Sequence, residues 1–538
     1  MLRRLRSYRF AYGALFAVGI FLLLAGALHS NIWYDESYSV ALARWDWADI
    51  WRLDALDVHP PLYYLLLHVI HLLFGDSILA YRLFSVAGIV ATATLGPLVV
   101  RKLWGDAEGL IFSALILLLP NMQHMAWQIR MYAWAVFAAT LCFLMAVRIV
   151  RAARTGAQAP WGTWVVFAVA SLSCAYLHYY GTIAAFLMNA GLLLQLVRIG
   201  RHTPRVLLGG GVWCFVLQAI AQIALFLPWL FTFATQVQSV ARGYWITFTF
   251  PASLLNIVFL PFKTDLLPQD DAILTIAGLV LAVTALLVLA HRFRHGDAWG
   301  EAAVRVDNEG YAFDRSTVRF GIAVYAATIA VVVAASLAMG RVVLMYRYLV
   351  IVLGPLCVAA ALALARLART ATRGGRVFRF LRQGLRMLAI VFCAACIGIW
   401  GAVMASLFDP ATGASVETAC TVRADGATVL TDSARAGGIL AALNPDQRVV
   451  YLDFTKDAWW EPGVRRAYGS AVTSVGSWDE ALEQTGERVL FISDHDSRRA
   501  VEELTRELAS EGLRVEEAWR IVRPYDRVTW TFLACARP

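Results

Sequence analysis

Long apolar runs separated by short polar or basic stretches fill the first three quarters of the chain, after which the pattern changes. Runs near the length needed to cross a hydrocarbon core, about 20 residues, lie near 10–29, 79–100, 108–123, 131–150, 161–178, 181–199, 206–231, 271–291, 319–339, 347–366 and 386–407. The pattern predicts an α-helical polytopic membrane protein of about eleven transmembrane helices. The run 60–74 is shorter, follows Pro60-Pro61 and carries His68 and His71, so it reads as a helix lying in or dipping into the outer interface. Ala25-Gly26-Ala27 resembles a signal-peptide cleavage site, but the apolar core before it is long for a signal and favours a retained span.

Beyond residue 408 the chain turns polar. Strand-like runs at Thr428–Leu430, Val449–Phe454 and Val489–Ile492 alternate with helical ones, notably 497–511. Ala518–Ile521 and Val528–Leu533, flanking Arg523-Pro524-Tyr525-Asp526, read as a closing antiparallel hairpin. Two domains are expected: a membrane domain over 1–408 and a small α/β domain over 409–538. No Gly-rich phosphate loop opens a helix of the second domain, which points to support or acceptor docking there rather than chemistry.

Composition agrees with a membrane protein, with 59% hydrophobic and 16% charged residues over 538 positions. The net charge of +9 does not point to nucleic acid, because the basic residues cluster between apolar runs, at Arg3, Arg4, Arg6 and Arg9, at Arg101 and Lys102, at Arg148, Arg151 and Arg154, and at Arg198, Arg201 and Arg205. By the positive-inside rule these clusters face the cytoplasm. An odd number of crossings from a cytoplasmic N-terminus places the C-terminal domain outside the cell inner membrane, in the periplasm or its equivalent. Six of eight cysteines fall inside spans, where a thiol packs as a small hydrophobe. The other two, Cys420 and Cys535, sit near the ends of the external domain and are expected to bridge them.

Polar residues of the membrane domain gather on the predicted outer side: Asp35, Glu36, His59, His124, Gln128, Arg130, Tyr132, His178, Tyr179, Tyr180, Arg341 and Arg347. The spans themselves hold almost no charge, a pattern that fits chemistry at the interface better than transport of a lipid or glycan without bond chemistry, which stands as the alternative. The bland reading of Asp35-Glu36 is a solvated loop with Asp as a helix cap. Outer Trp33, Trp45, Trp47, Trp51 and Tyr63 fit an interfacial aromatic belt, and the segment 232–270 fits an amphipathic lid.

In order along the chain, Tyr34-Asp35-Glu36-Ser37, His59-Pro60-Pro61-Leu62-Tyr63-Tyr64, Gln128-Ile129-Arg130-Met131-Tyr132, His178-Tyr179-Tyr180 and Arg347-Tyr348-Leu349 with Pro355 resemble the bacterial branch of the protein O-mannosyltransferase superfamily, glycosyltransferase family 39-like proteins of GT-C fold. The likeness covers roughly the first 360 residues and extends loosely to the lipid A aminoarabinose transferases. It implies transfer of a sugar, with inversion, from a polyprenyl-phosphate donor to a hydroxyl of a glycan, lipid or protein acceptor at the outer face. Asp35 would be the general base and Glu36 its neighbour holding the donor or acceptor. Arg130, Arg341 and Arg347 would meet the phosphate charge, with His59, Gln128, Tyr132, His178 and Tyr179 completing the substrate site. Members of the superfamily often carry an acid where this chain has Gln128, which weakens the case for a second catalytic carboxylate. No cofactor follows with certainty, and a divalent metal held by Asp35, Glu36 and His59 or His178 stays open.

Overall fold

The computed structural model describes residues 2–202, 211–242, 246–250, 252–264, 314–373, 376–424, 426–446, 448–453, 466–494 and 498–537. Among them, eight helices are long and apolar enough to cross a membrane: Tyr8–Ala27, Ile78–Trp104, Tyr132–Arg154, Tyr179–His202, Gly211–Ala241, Arg315–Met339, Tyr346–Arg369 and Ile390–Cys420. These match eight of the expected spans. The expected helix at 161–178 is a shorter apolar helix, Trp161–Leu177. The one at 271–291 lies outside the described residues, as do 203–210 and, within the expected lid segment, 243–245, 251 and 265–270.

The span expected at 108–123 is two helices, Asp106–Leu118 and Pro120–Trp127, bent by 57°. Pro120 supplies the reason. Its ring has no N–H to give the preceding turn and forces the residue before it out of the helical region, and Leu119 is extended at ψ 128°. The bend turns the segment 128–131 toward the beginning of the chain, where the site lies.

Five N-terminal helices frame that region: α1 (Leu2–Ala27), α2 (Tyr34–Ala43), α3 (Trp47–Asp54), α4 (Leu62–Phe74) and α5 (Ile78–Leu95). Asp46 caps α3 by accepting from Asp49 N–H at 2.8 Å, and Ser77 caps α5 by accepting from Ala80 N–H at 3.3 Å. Gly75 ends α4 at φ +65°, a conformation glycine adopts without strain. The short α4 buries Tyr63, Tyr64, Leu67 and His68 and leaves Leu72, Leu73 and Phe74 exposed, an apolar outer edge of the kind that the expected interfacial helix needs.

The last membrane helix leads through Pro410–Ala424 into a six-stranded sheet of order β3-β2-β1-β4-β6-β5. Its strands are β1 (Thr428–Thr431), β2 (Val449–Leu452), β3 (Val472–Val475), β4 (Arg488–Ser493), β5 (Arg514–Arg523) and β6 (Val528–Ala536). β1 to β4 are parallel, and β6 runs antiparallel to both β4 and β5. The first, second and fourth read in the sequence as continuous apolar runs, because strands of a parallel sheet are covered on both faces. β3 carries a mixed run, Val-Thr-Ser-Val, and was not anticipated. The expected hairpin is present, and Arg527 turns it at φ +55°.

This sheet domain grips α2 directly. Arg44 donates to Ala442 O at 2.5 Å and to Ala441 O at 3.3 Å, Trp45 Nε1 donates to Ala467 O at 2.7 Å, and the Ser37 and Tyr468 hydroxyls share a hydrogen bond at 2.8 Å. Close approach demands Gly438, where a Cβ would stand 2.6 Å from the Tyr468 hydroxyl oxygen.

The expected Cys420–Cys535 bridge is absent, and both thiols are free. Cys535 is buried in β6 between Val489 of β4 and Val515 of β5, whereas the Cys420 sulfur accepts a hydrogen bond from Asn444 Nδ2 at 3.0 Å. Each sulfur is committed to its own surroundings. Intact mass after denaturing alkylation without reductant is therefore expected to show both residues modified, and a species lighter by the hydrogens of one disulfide would contradict the arrangement.

Candidate active site

Trp33, Tyr34, Asp35 and Glu36 form the first turn of α2, and neighbouring side chains on a helix point about 100° apart. The two carboxylates therefore meet different surroundings. Glu36 is fully buried: its Oε2 accepts from Trp33 N–H at 3.2 Å and from the Tyr525 hydroxyl at 2.7 Å, and its Oε1 accepts from Ile129 N–H at 2.9 Å. Arg82 Nη2 of α5 lies 3.5 Å from Oε2, both side chains completely enclosed. Burial pushes the Glu36 carboxyl up to about 7 against the lowering effect of its donors.

Asp35 faces outward with 31% of its side chain exposed, and Arg347 Nη1 stands 3.9 Å from its Oδ2. The same guanidinium lies over the Trp33 ring, 4.9 Å from the centroid. Beneath them Arg130 is buried and spends its nitrogens inside the protein, on Asp35 O at 3.2 Å, Ser39 Oγ at 3.4 Å, the Tyr64 hydroxyl at 3.2 Å and His59 Nε2 at 3.2 Å. Because Arg130 can only donate, His59 Nε2 accepts, and Nδ1–H donates to Asp57 Oδ2 at 2.9 Å. Burial opposes ionisation of Asp57, yet the His59 hydrogen bond and the Arg130 charge hold its carboxyl below the usual range.

An aromatic wall adjoins this core. The His178 ring lies 5.7 Å from His59, 5.9 Å from Tyr132 and 4.6 Å from Tyr348, and its Nδ1 accepts from Tyr180 N–H at 3.1 Å. Tyr132 stacks on Tyr348 at 6.2 Å. The 3₁₀ geometry of Tyr346–Val352 brings Arg347 and Tyr348 to this wall.

The structure thus draws Asp35, His59, Arg130, Tyr132, His178 and Arg347 together, and places three other expected residues differently. Gln128 bonds His124 Nε2 at 2.8 Å. Tyr179 is tied to Gln236 and to Trp229 Nε1 on the Gly211–Arg242 helix. Arg341 sits on the exposed turn after Gly340. Among the described residues no three His, Cys, Asp or Glu side chains are arranged to hold a metal ion, and the suggested ligands show why: Glu36 turns inward while His59 is held between Asp57 and Arg130.

Sequence reasoning missed Arg82, Asp57, Asp54 and Tyr525. The expectation that the spans hold almost no charge fails at Arg82, an arginine inside an apolar run, which is itself a signal of a committed partner. Asp54 is the most isolated of the four: fully buried, with neither carboxylate oxygen hydrogen-bonded, while Gln236 Nε2 donates to the backbone carbonyls of Asp54 at 3.1 Å and Ala55 at 3.3 Å. Burial first, and then the nearby Asp57 charge, raise its carboxyl well above the ordinary range.

No protein-family model and no curated protein matches the chain. Among solved structures it is similar to ArnT from Cupriavidus metallidurans in the apo state, at TM-score 0.56 and 12% identity over 97% of both chains. It is also similar to the same protein bound to undecaprenyl phosphate, at TM-score 0.50 and 12% identity over 97% of both chains. At that identity the likeness shows the fold, which is GT-C with a C-terminal sheet domain in a multi-pass membrane protein. It does not separate the mannosyltransferase branch from the aminoarabinose one.

The state of Asp54 is testable without substrate. A carboxyl whose pKa is raised by folding stabilises fully below its unfolded value and loses that contribution as pH rises toward the folded one. Asp54→Asn, always neutral, is therefore expected to melt above the wild type at pH 8 by at least about 2 °C, roughly 1 kcal/mol in a large chain, with the gap closing toward pH 4. A variant equally destabilised at both pH values would show that Asp54 is a paired anion.

Proposed function

We propose that the protein is a membrane glycosyltransferase that moves a sugar from a polyprenyl-phosphate donor to an acceptor hydroxyl at the outer face of the cytoplasmic membrane, with inversion. The observation that carries this reading is the pairing of one exposed carboxylate, Asp35, with one guanidinium, Arg347, at 3.9 Å on a buried scaffold. That pair supplies what the reaction needs. Asp35 takes the proton from the acceptor hydroxyl, the freed oxygen bonds to the anomeric carbon, and the bond from that carbon to the phosphate oxygen breaks with its electrons going to the phosphate. Arg347 meets the charge that develops there, so no general acid is required.

The roles of the other residues follow from their contacts. Arg130 has its head groups committed to Asp35 O, His59 and Tyr64 and is a positioning residue rather than a phosphate ligand. Glu36, enclosed by its donors, positions the turn that carries Asp35. His178, Tyr132 and Tyr348 line the side on which a sugar ring would rest. Support for a lipid-linked donor comes from two directions: the similar ArnT structure is bound to undecaprenyl phosphate, and an apolar groove of about 470 Å³ runs between Phe248, Leu254, Val258, Ile329, Leu344 and Leu356. The donor tail would lie in that groove. Transport without bond chemistry gains no support from the fold.

The basic clusters support a cytoplasmic N-terminus, with the sheet domain and the site it covers outside. On this reading the membrane domain over 1–408 carries the chemistry and 409–538 is the extracytoplasmic domain. The resemblance in sequence favours a hexose in the manner of the mannosyltransferase branch, and the fold comparison is equally compatible with a pentose.

Purified protein supplied with undecaprenyl-phosphate-linked sugars is expected to release undecaprenyl phosphate, and Asp35→Asn to lower that rate by about 10²- to 10⁴-fold with the melting temperature unchanged. Near wild-type turnover in this variant would remove Asp35 from the mechanism.

Arg347→Ala is expected to raise the apparent KM for donor and lower kcat, with Lys restoring only part of the loss because an ammonium cannot fork onto two phosphate oxygens. Unchanged donor kinetics would make Arg347 a structural anchor.

A further inference from the structure

One residue of the C-terminal domain bonds the buried acid of the site. Tyr525 stands at the tip of the β5–β6 hairpin, 489 positions from Glu36, and its buried hydroxyl donates to Glu36 Oε2 at 2.7 Å. The tip is rigid. Arg523 is fully buried and donates to both oxygens of Asp526 at 3.1 Å, to Ser415 Oγ at 2.7 Å, to Thr412 O at 3.3 Å and to Ile32 O at 3.2 Å, with its guanidinium 4.2 Å over the Trp530 ring. Ser406 Oγ holds Pro524 O at 3.1 Å, and the Tyr525 ring meets His29 edge-on at 5.0 Å.

These contacts have a geometric consequence. Arg523 holds the carbonyl of Ile32 and Tyr525 holds the carboxylate of Glu36, so the hairpin grips the chain on both sides of Trp33, Tyr34 and Asp35. That short turn carries the exposed carboxylate and, in Trp33, the ring under Arg347. A shift of about 1 Å in a reacting group costs on the order of 10² in rate, and nothing in the turn itself fixes the Asp35 side chain to that tolerance.

We propose that Tyr525 is a positioning residue for the transfer reaction, acting through Glu36 to fix the turn that carries Asp35, so that the site is complete only when the hairpin of the C-terminal domain is seated. The proposal rests on the glycosyltransferase reading above.

Tyr525→Phe removes one oxygen and keeps the ring against His29. In the full-length protein assayed with undecaprenyl-phosphate-linked sugars, kcat is expected to fall roughly 10- to 100-fold while the apparent donor KM stays within about twofold. The pH profile separates positioning from general loosening. Facing Glu36 are Arg82 from α5, Tyr63 from α4, Asp35 on its own helix and Tyr525 from the hairpin, with His29 beyond Arg82. Of these the Tyr525 hydroxyl lowers the Glu36 pKa by its hydrogen bond, so its loss moves the acid limb of kcat to higher pH. Tyr468→Phe removes a buried hydroxyl from the same domain contact, at Ser37, and should leave that limb in place.

Wild-type kcat and acid limb in Tyr525→Phe would overturn the positioning role while leaving the transferase reading intact. Because Tyr525 acts only through Glu36, wild-type kcat in Glu36→Gln would overturn it too, even if the Tyr525 variant does not fold. Failure of the wild type to transfer any lipid-linked sugar would overturn the reading beneath the proposal, and the proposal with it.

Discussion

The enclosed carboxylate of Glu36 is the constraint on which the arrangement depends. Moving an ionised carboxylate out of water costs several kcal/mol even after relaxation, and the fold offsets this by bringing donors from three separate places, Trp33 N–H, Ile129 N–H and the Tyr525 hydroxyl, with the Arg82 guanidinium 3.5 Å away. Each donor belongs to a different part of the chain. The Ile129 amide is available only because Pro120 bends its span by 57°, and Tyr525 only because the sheet domain folds back over the membrane helices. Withdrawing any one of them leaves a buried charge short of partners, which costs far more than a bond lost at the surface.

From that constraint follows a division of labour between adjacent acids. Glu36 occupies the third position of α2, where a carboxylate bends back to the amide of the capping residue. Asp35, one position earlier, is rotated away from the core toward Arg347. Equal chemistry at neighbouring positions becomes structural in one case and reactive in the other, through helix geometry alone. Arg130 and Arg347 split in the same way: the first is consumed by internal acceptors, and the second lies against a half-buried aromatic ring and a partly exposed carboxylate.

Much of this was legible in the sequence and some was not, for physical reasons. Membrane helices announce themselves because lipid requires unbroken apolarity and internally satisfied backbone, so eight expected spans stand where the apolar runs placed them. The apolar runs of β1, β2 and β4 alternate with turns and helices clearly enough to mark an α/β domain. The bend at Pro120 was readable from the proline and was passed over, because hydropathy averages across it. Arg82 was missed because a lone arginine at the edge of a span looks like an anchor until its acid is known. Tyr525 is beyond any local pattern, since its partner lies 489 residues away. The disulfide expectation counted thiols outside spans, but the side chains of Cys420 and Cys535 belong to different environments.

The central claim is that Asp35 and Arg347 flank the bond that is made and broken, on a turn held by Glu36 and the hairpin. A structure determined with a bound polyprenyl phosphate tests it most directly. The account predicts the phosphate in hydrogen-bond contact with Arg347 beside the Asp35 carboxylate, the tail in the groove of Phe248 and Leu344, and Glu36 still bonded to Tyr525. A phosphate bound away from Arg347, or Glu36 turned out to meet it, would contradict the account.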